Sequence, residues 1–388
     1  MVKKDGSEAG GSTSAEFVTL MSAGLIAIAL LTYASWRQTD FENLAKGEQN
    51  TSLREVFDGK PFTACTVKDI KALIDERRMT KSGNPCNSSV QRILWLGNSQ
   101  LHYINQYRKG DHLSPFWLRL GWKASACIEP LGCSLPNVNL QEFLVLSRYA
   151  VSRMPVSLLL VELVFDDLRE DDLRSDFNEM LTSDIVAGMR RSSSTAESIV
   201  GRFLAKRKGV DEKDRPDALS GTLQKPVEQW LNSSFSATWS LWENRPQIEG
   251  NIYLALYNLR NFVFRIKSTT VRRMIQARYD LNMASLCDML DDCRQRGLPV
   301  LLYIAPIRQD KPIPYDQVEY SRWKSEVQEM TQRFGAHLVN LEQLVPGELW
   351  GTYTGDDIDF MHFRGPGHRL VAEALLPHVL KVLESMGH

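Results

Sequence analysis

The stretch Ser157-Leu158-Leu159-Leu160-Val161-Glu162-Leu163 leaves a folded chain few choices, because a strand built from it is apolar on both faces. Such a strand belongs inside a sheet that is covered on both sides. Runs of the same kind occur at residues 92–96, 123–128, 300–304 and 336–341. Between them, apolar residues recur at helical spacing over residues 140–153 and 283–296. The second of these helices is stopped by Gly297-Leu298-Pro299. Strands alternate with helices, so the expected class is α/β, a doubly wound parallel sheet. Residues 170–285 interrupt the alternation with a helical insertion, expected to form a cap beside the site.

One segment departs from the globular pattern. Residues 17–33 read FVTLMSAGLIAIALLTY without a charge and are followed by Trp36 and Arg37. A helix needs roughly 17–25 apolar residues to cross the hydrocarbon core, and Tyr33 and Trp36 stand where interfacial aromatics are expected. A cleaved signal peptide usually has a shorter apolar region, of about 7–15 residues, and a small-residue cleavage site is not obvious. The expectation is one uncleaved transmembrane signal anchor over residues 17–36. Residues 1–16 form a disordered tail before it, residues 37–90 a juxtamembrane stalk, and residues 91–388 the main domain. This places the chain in the plasma (inner) membrane, single-pass, with its catalytic domain on the periplasmic or extracytoplasmic side.

A formal net charge of −1 supplies no electrostatic excess for a nucleic-acid partner. The six cysteines match no zinc-site spacing, no phosphate-binding glycine loop occurs, and no metal or other cofactor is expected. In an oxidising compartment Cys65 and Cys86, which flank a helical pattern, are the first pair to consider for a bridge. Buried thiols are the alternative for most of the six. The aromatic and basic run over residues 253–273 suits either an amphipathic helix on the core or a lipid or polymer surface.

Ligands of open α/β sheets bind outside the carboxyl ends of the strands. The first strand delivers Gly97-Asn98-Ser99-Gln100 to that edge, with a glycine for a tight turn and a serine opening a helix. A serine hydroxyl becomes a nucleophile when a base stands within hydrogen-bond reach and a carboxylate orients the base. Asp359-Phe360-Met361-His362, just ahead of the last helix, offers both at a spacing that one turn or loop can close. His102, one turn after Ser99, and Arg364 and His368, next to the Asp-x-x-His, are secondary candidates. The first would serve the cleft, the other two an anionic substrate; surface and capping roles suit all three.

These two motifs, at opposite ends of the domain, resemble those of the SGNH (GDSL-like) hydrolase superfamily. The resemblance runs from about residue 92 to the end and implies a flavodoxin-like sheet of SGNH hydrolase type. It makes Ser99 the nucleophile, His362 the base and Asp359 its orienter. It also implies an oxyanion hole from the Ser99 N–H and from Gly132, within Leu131-Gly132-Cys133-Ser134. The family's Gly-x-Asn-Asp block corresponds to Val164-Phe165-Asp166-Asp167, so Asp166 replaces the asparagine that would donate to the oxyanion. An ionised carboxylate has no hydrogen to donate. With the apolar N-terminal run, the pattern is similar to a membrane-anchored branch that includes DltD-type D-alanyl-lipoteichoic acid proteins and the alginate O-acetylation proteins. That likeness implies an O-acyltransferase that works through an acyl-Ser99 intermediate. It would act beside a membrane-bound O-acyltransferase (MBOAT) partner, on an exported polysaccharide or cell-envelope polymer. A carbohydrate or polymer acyl esterase, and a non-catalytic scaffold subunit, are the alternatives.

Overall fold

Six strands pair side by side, every neighbour parallel: β3 (Thr63–Ala64), β5 (Ile128–Ser134), β4 (Gln91–Gly97), β6 (Leu158–Leu163), β7 (Val300–Ile304) and β8 (His337–Asn340), in that spatial order. A hairpin, β1 (Val56–Phe57) with β2 (Lys60–Pro61), precedes them. Without edge strand β3 the order is 2-1-3-4-5, the flavodoxin-like arrangement of a doubly wound sheet. The computed structural model describes residues 55–57, 60–79, 90–121, 128–213, 271–352 and 358–385. The described residues belong to one of the two compact units of the chain, residues 47–213 with 268–388; the other, residues 1–46 with 214–267, lies outside them.

Alternate residues of the central strands go to opposite faces and into separate cores. Leu94, Leu96, Leu159, Val161, Leu302 and Ile304 join the larger core, with α1 (Val67–Met79), α4 (Leu140–Arg153), α7 (Gln276–Gln295) and α8 (Gln317–Phe334). Ile93, Trp95, Leu158, Leu160, Leu301 and Tyr303 join the smaller one, under α3 (Ser114–Gly121) and α9 (Gly365–Glu384). Between β4 and α3 lies the single-turn helix α2 (Ser99–His102).

Local chemistry accounts for the helix ends. Asn139 accepts a hydrogen bond from the Glu142 N–H (3.0 Å) at the start of α4, and Asp316 accepts from the Val318 and Glu319 N–H groups at the start of α8. Gly335 ends α8 in the left-handed region, at φ 68°. The last helix begins five residues earlier than the pattern from residue 370 suggests, because Gly365-Pro366-Gly367 forms its first turn. Proline costs nothing there, since an N–H in the first turn has no intrahelical acceptor.

Three expectations are corrected. Residues 60–79 are no stalk: β3 extends the sheet beside β5, and α1 buries Val67, Ile70, Leu73 and Ile74 in the larger core. The second strand lies at 128–134 rather than 123–128; Pro130 and Gly132 disguise it in sequence. Membrane anchoring, and with it the inner-membrane placement, is withdrawn. Among the described residues no helix is long and apolar enough to cross a membrane, and residues 17–36 lie outside them. Within the insertion, α5 (Ser183–Ser192) and α6 (Ser194–Lys213) bury Met189, Ile199, Val200 and Phe203 in the larger core, alongside α4 and α7. Its described part is thus a piece of that helical layer. Cys86 and residues 253–270 lie outside the described residues.

Leu160 is fully buried at the centre of the sheet, whereas Leu120 on α3 is 53% exposed. Leu160→Ala is expected to lower stability by about 2–5 kcal/mol, and Leu120→Ala by no more than about 0.5 kcal/mol. Urea denaturation of the two variants checks the contrast.

Candidate active site

Strand β4 ends at Gly97, and the chain turns through Asn98 into α2. Asn98 caps this helix, its Oδ1 accepting from the Gln100 N–H at 2.8 Å. Ser99 thus takes the first helical position at the carboxyl end of the sheet. Its own N–H has no acceptor inside the helix and remains available.

Asp359 and His362 sit on β10 (Ile358–Phe363), which pairs with β9 (Trp350–Thr352) in a separate antiparallel ribbon. Residues three apart point to opposite faces of a regular strand. The pairing of β10 shifts register between Ile358 and Phe363, and the Asp359 side chain folds back onto its own backbone. Its Oδ1 accepts from the N–H groups of Met361 (2.8 Å) and His362 (3.0 Å). This irregularity turns both side chains to one side. Asp359 Oδ2 then stands 3.0 Å from His362 Nδ1, and His362 Nε2 stands 2.9 Å from Ser99 Oγ. A carboxylate accepts, so Nδ1 carries the hydrogen and Nε2 is free to receive the serine proton.

Asp359 is fully buried. Burial alone would raise its carboxyl. The charge and hydrogen bond of His362, with the bonds from Met361 N–H and Asn105, hold it below the ordinary carboxylate range instead. Asn105 donates its side-chain amide to Asp359 Oδ2 at 2.7 Å, and its backbone N–H to the Phe363 carbonyl at 3.0 Å. Gln100 donates to the carbonyls of Met361 (2.9 Å) and Pro306 (3.1 Å), stapling the serine turn to the histidine strand. The Tyr103 ring meets the His362 ring edge-on, centroids 4.6 Å apart. A hydroxyl, an imidazole and a carboxylate in this order form the array of a serine hydrolase.

Other expected residues lie elsewhere. Gly132 is in the body of β5, and its N–H is spent on the Phe62 carbonyl (2.8 Å), so it is not an oxyanion donor. Asp166 is bound by Arg169 and Arg272 and offers the oxyanion nothing. His102 is buried, with Nδ1 3.0 Å from Ser134 Oγ, and burial pushes its pKa down to about 3. His368 is also buried: Nε2 donates to the Tyr103 carbonyl (3.1 Å) and Nδ1 accepts from the Ser114 hydroxyl (3.1 Å). This second serine–histidine contact has both members sealed in the core, and burial pushes His368 down to about 3 as well. A neutral imidazole does not attract an anion. Arg364 stands at the start of α9, its backbone N–H on the Leu349 carbonyl. Among the described residues no cluster of His, Cys, Asp and Glu is placed to hold a metal ion.

Sequence reasoning missed Asn105 and Gln100, because their partners lie more than 200 positions away. It also missed the buried carboxyls Glu162 and Asp167, which flank Asn98. A glutamate inside the otherwise apolar run 158–163 was the available signal.

No protein-family model and no curated protein matches the chain. Among solved structures it is similar to a GDSL-like lipase from Bacteroides thetaiotaomicron, at 9% identity and TM-score 0.37, over 81% of this chain and 99% of that one. An acetylxylan esterase from Geobacillus stearothermophilus matches at 9% identity and TM-score 0.36, over 76% and 96%. An α/β hydrolase from the metagenome of Lake Arreo, Spain, matches at 8% identity and TM-score 0.37, over 76% and 97%. Likeness at this distance carries no argument about function.

The two buried histidines make a stability prediction. In the unfolded chain they take up protons below about pH 6.5, whereas in the folded protein they stay neutral down to about 3. Their contribution is therefore complete at neutral pH and is lost as the pH falls from 6.5 towards 3. His102→Gln is expected to melt less steeply with acidification than the parent, as read by melting temperature across that range.

Proposed function

We propose that this chain is a serine esterase that hydrolyses acyl esters, with acylated carbohydrates or polymers as its substrate class. The observation that carries the reading is the unbroken relay from Asp359 through His362 to the Ser99 hydroxyl, 3.0 and 2.9 Å long. Ser99 Oγ attacks the ester carbonyl carbon while its proton passes to His362 Nε2. Asp359 keeps the imidazole in the required tautomer and steadies the imidazolium. The tetrahedral intermediate expels the alcohol, which takes the proton from His362 and leaves the acyl group on Ser99. Water, deprotonated by His362, releases the acid and restores the hydroxyl.

The transfer reading is corrected to hydrolysis. It required a membrane anchor beside a membrane-bound acyl donor, and no described helix is long and apolar enough to cross a membrane. Water serves as acceptor with the same three residues.

The oxyanion has fewer donors than the resemblance implies. Gly132 N–H and Asp166 are both committed to other partners, which leaves the Ser99 N–H. Each missing donor costs about 10²–10³ in rate, so turnover is expected to be slow. Ser99→Ala should abolish both hydrolysis of p-nitrophenyl acetate and labelling by a fluorophosphonate probe. Asp359→Asn should lower kcat by about 10⁴-fold. Folded wild-type protein that neither hydrolyses the ester nor takes the label at Ser99 overturns the proposal.

A further inference from the structure

The nucleophile turn rests on a carboxyl that the relay does not use. Glu162 projects from β6 into the smaller core side of the sheet, directly beneath Asn98, and both are buried. Its Oε2 accepts the Asn98 backbone N–H at 2.9 Å, and its Oε1 accepts the Tyr303 hydroxyl at 3.1 Å. The Tyr303 oxygen in turn accepts from Trp95 Nε1 at 3.2 Å. A Cβ on Gly97 would come within 2.7 Å of Glu162 Oε2, so the glycine is what lets the carboxyl reach the backbone. On the other side, the Asn98 side chain donates to Asp167 at 3.2 Å.

We propose that Glu162 is a positioning residue: by holding the Asn98 N–H it sets where the Ser99 hydroxyl stands against His362. The inference rests on the esterase reading of Ser99. Leucine would fill the space but would leave the Asn98 N–H without an acceptor. The Asn98–Ser99 peptide carries both the nucleophile and the N–H nearest the developing oxyanion. A displacement of about 1 Å there costs on the order of 10²-fold in rate.

The groups facing Glu162 are few. Tyr303 reaches it from β7 and Asp167 lies on the turn after β6, while Trp95 and Asn98 from the β4 side do not titrate. Burial pushes Glu162 up to about 7 and Asp167 well above the ordinary range.

The experiment compares Glu162→Leu, Glu162→Gln and Tyr303→Phe with wild type, using p-nitrophenyl acetate kinetics, fluorophosphonate labelling rates and thermal melts. Glu162→Leu is expected to lower kcat roughly 10- to 100-fold with KM within about threefold. Glu162→Gln keeps an oxygen for the Asn98 N–H and should recover kcat to within about threefold of wild type. Glutamine does not titrate. Glu162 binds a proton more tightly folded than unfolded, so its stabilising contribution is present below 4.5 and lost as pH rises towards 7. The wild type should therefore lose melting temperature relative to the Gln variant over that range. Should the Leu variant fail to fold, Tyr303→Phe, which frees one carboxyl oxygen, carries the test through a smaller fall in kcat at constant KM. A Leu or Phe variant with wild-type kcat overturns the positioning role, as does a Gln variant no better than Leu. If wild type itself neither turns over nor labels at Ser99, the esterase reading falls and this proposal with it.

Discussion

Ser99 and His362 meet because two segments 261 positions apart are sewn together by backbone carbonyls. Gln100 spends both hydrogens of its amide on the carbonyls of Met361 and Pro306, and Asn105 gives its N–H to Phe363. Ribbon β9–β10 has no place in the six-stranded sheet, so these bonds, with the packing of Trp350 and Phe363 in the smaller core, fix its position. Buried polar groups are costly when unpaired, and that cost is what gives the junction a unique geometry. A ribbon displaced along the sheet edge would orphan several of these donors at once.

Burial of charge is the second organising constraint. Asp359 stays ionised in the core because its oxygens accept from Asn105, His362 and two backbone N–H groups. Glu162, equally buried, has weaker support from Asn98 and Tyr303, and burial wins. Two carboxyls that reach the same serine turn, one through Asn98 and one through His362, are thus driven to opposite ends of their range by the number of donors each meets. His102 and His368 are sealed and neutral, while His362 alone touches both a carboxylate and the serine hydroxyl.

Much of the sheet is legible in the chain. The runs at 92–96, 157–163 and 300–304 become strands within a residue of their expected ends, since only a central strand tolerates apolar side chains on both faces. The strand at 128–134 escaped notice because Pro130 and Gly132 break the pattern. Its glycine is there for closeness: a Cβ on Gly132 would come within 3.0 Å of Pro115 and 3.2 Å of Thr63. The same packing took Gly132 away from the oxyanion and gave its N–H to Phe62. The segment 60–79 reads as part of a stalk because of the polar stretches around it, and its pairing with β5 and the burial of α1 show it to be part of the domain.

Residue type and order determined, by themselves, that strands would lie inside a covered sheet, and they offered Ser99, Asp359 and His362 as a hydroxyl, a carboxylate and an imidazole able to form a relay. Both follow from short-range physics: side-chain period along a strand, and the acid–base character of three functional groups. Which polar atoms face one another was decided only in three dimensions. The bulge that turns Asp359 and His362 to one side, the amide of Asn105 behind the carboxylate and the carboxyl of Glu162 beneath the serine turn each depend on a partner element remote in the chain. Distance and burial set the strength of those contacts, and neither is written in the order of residues.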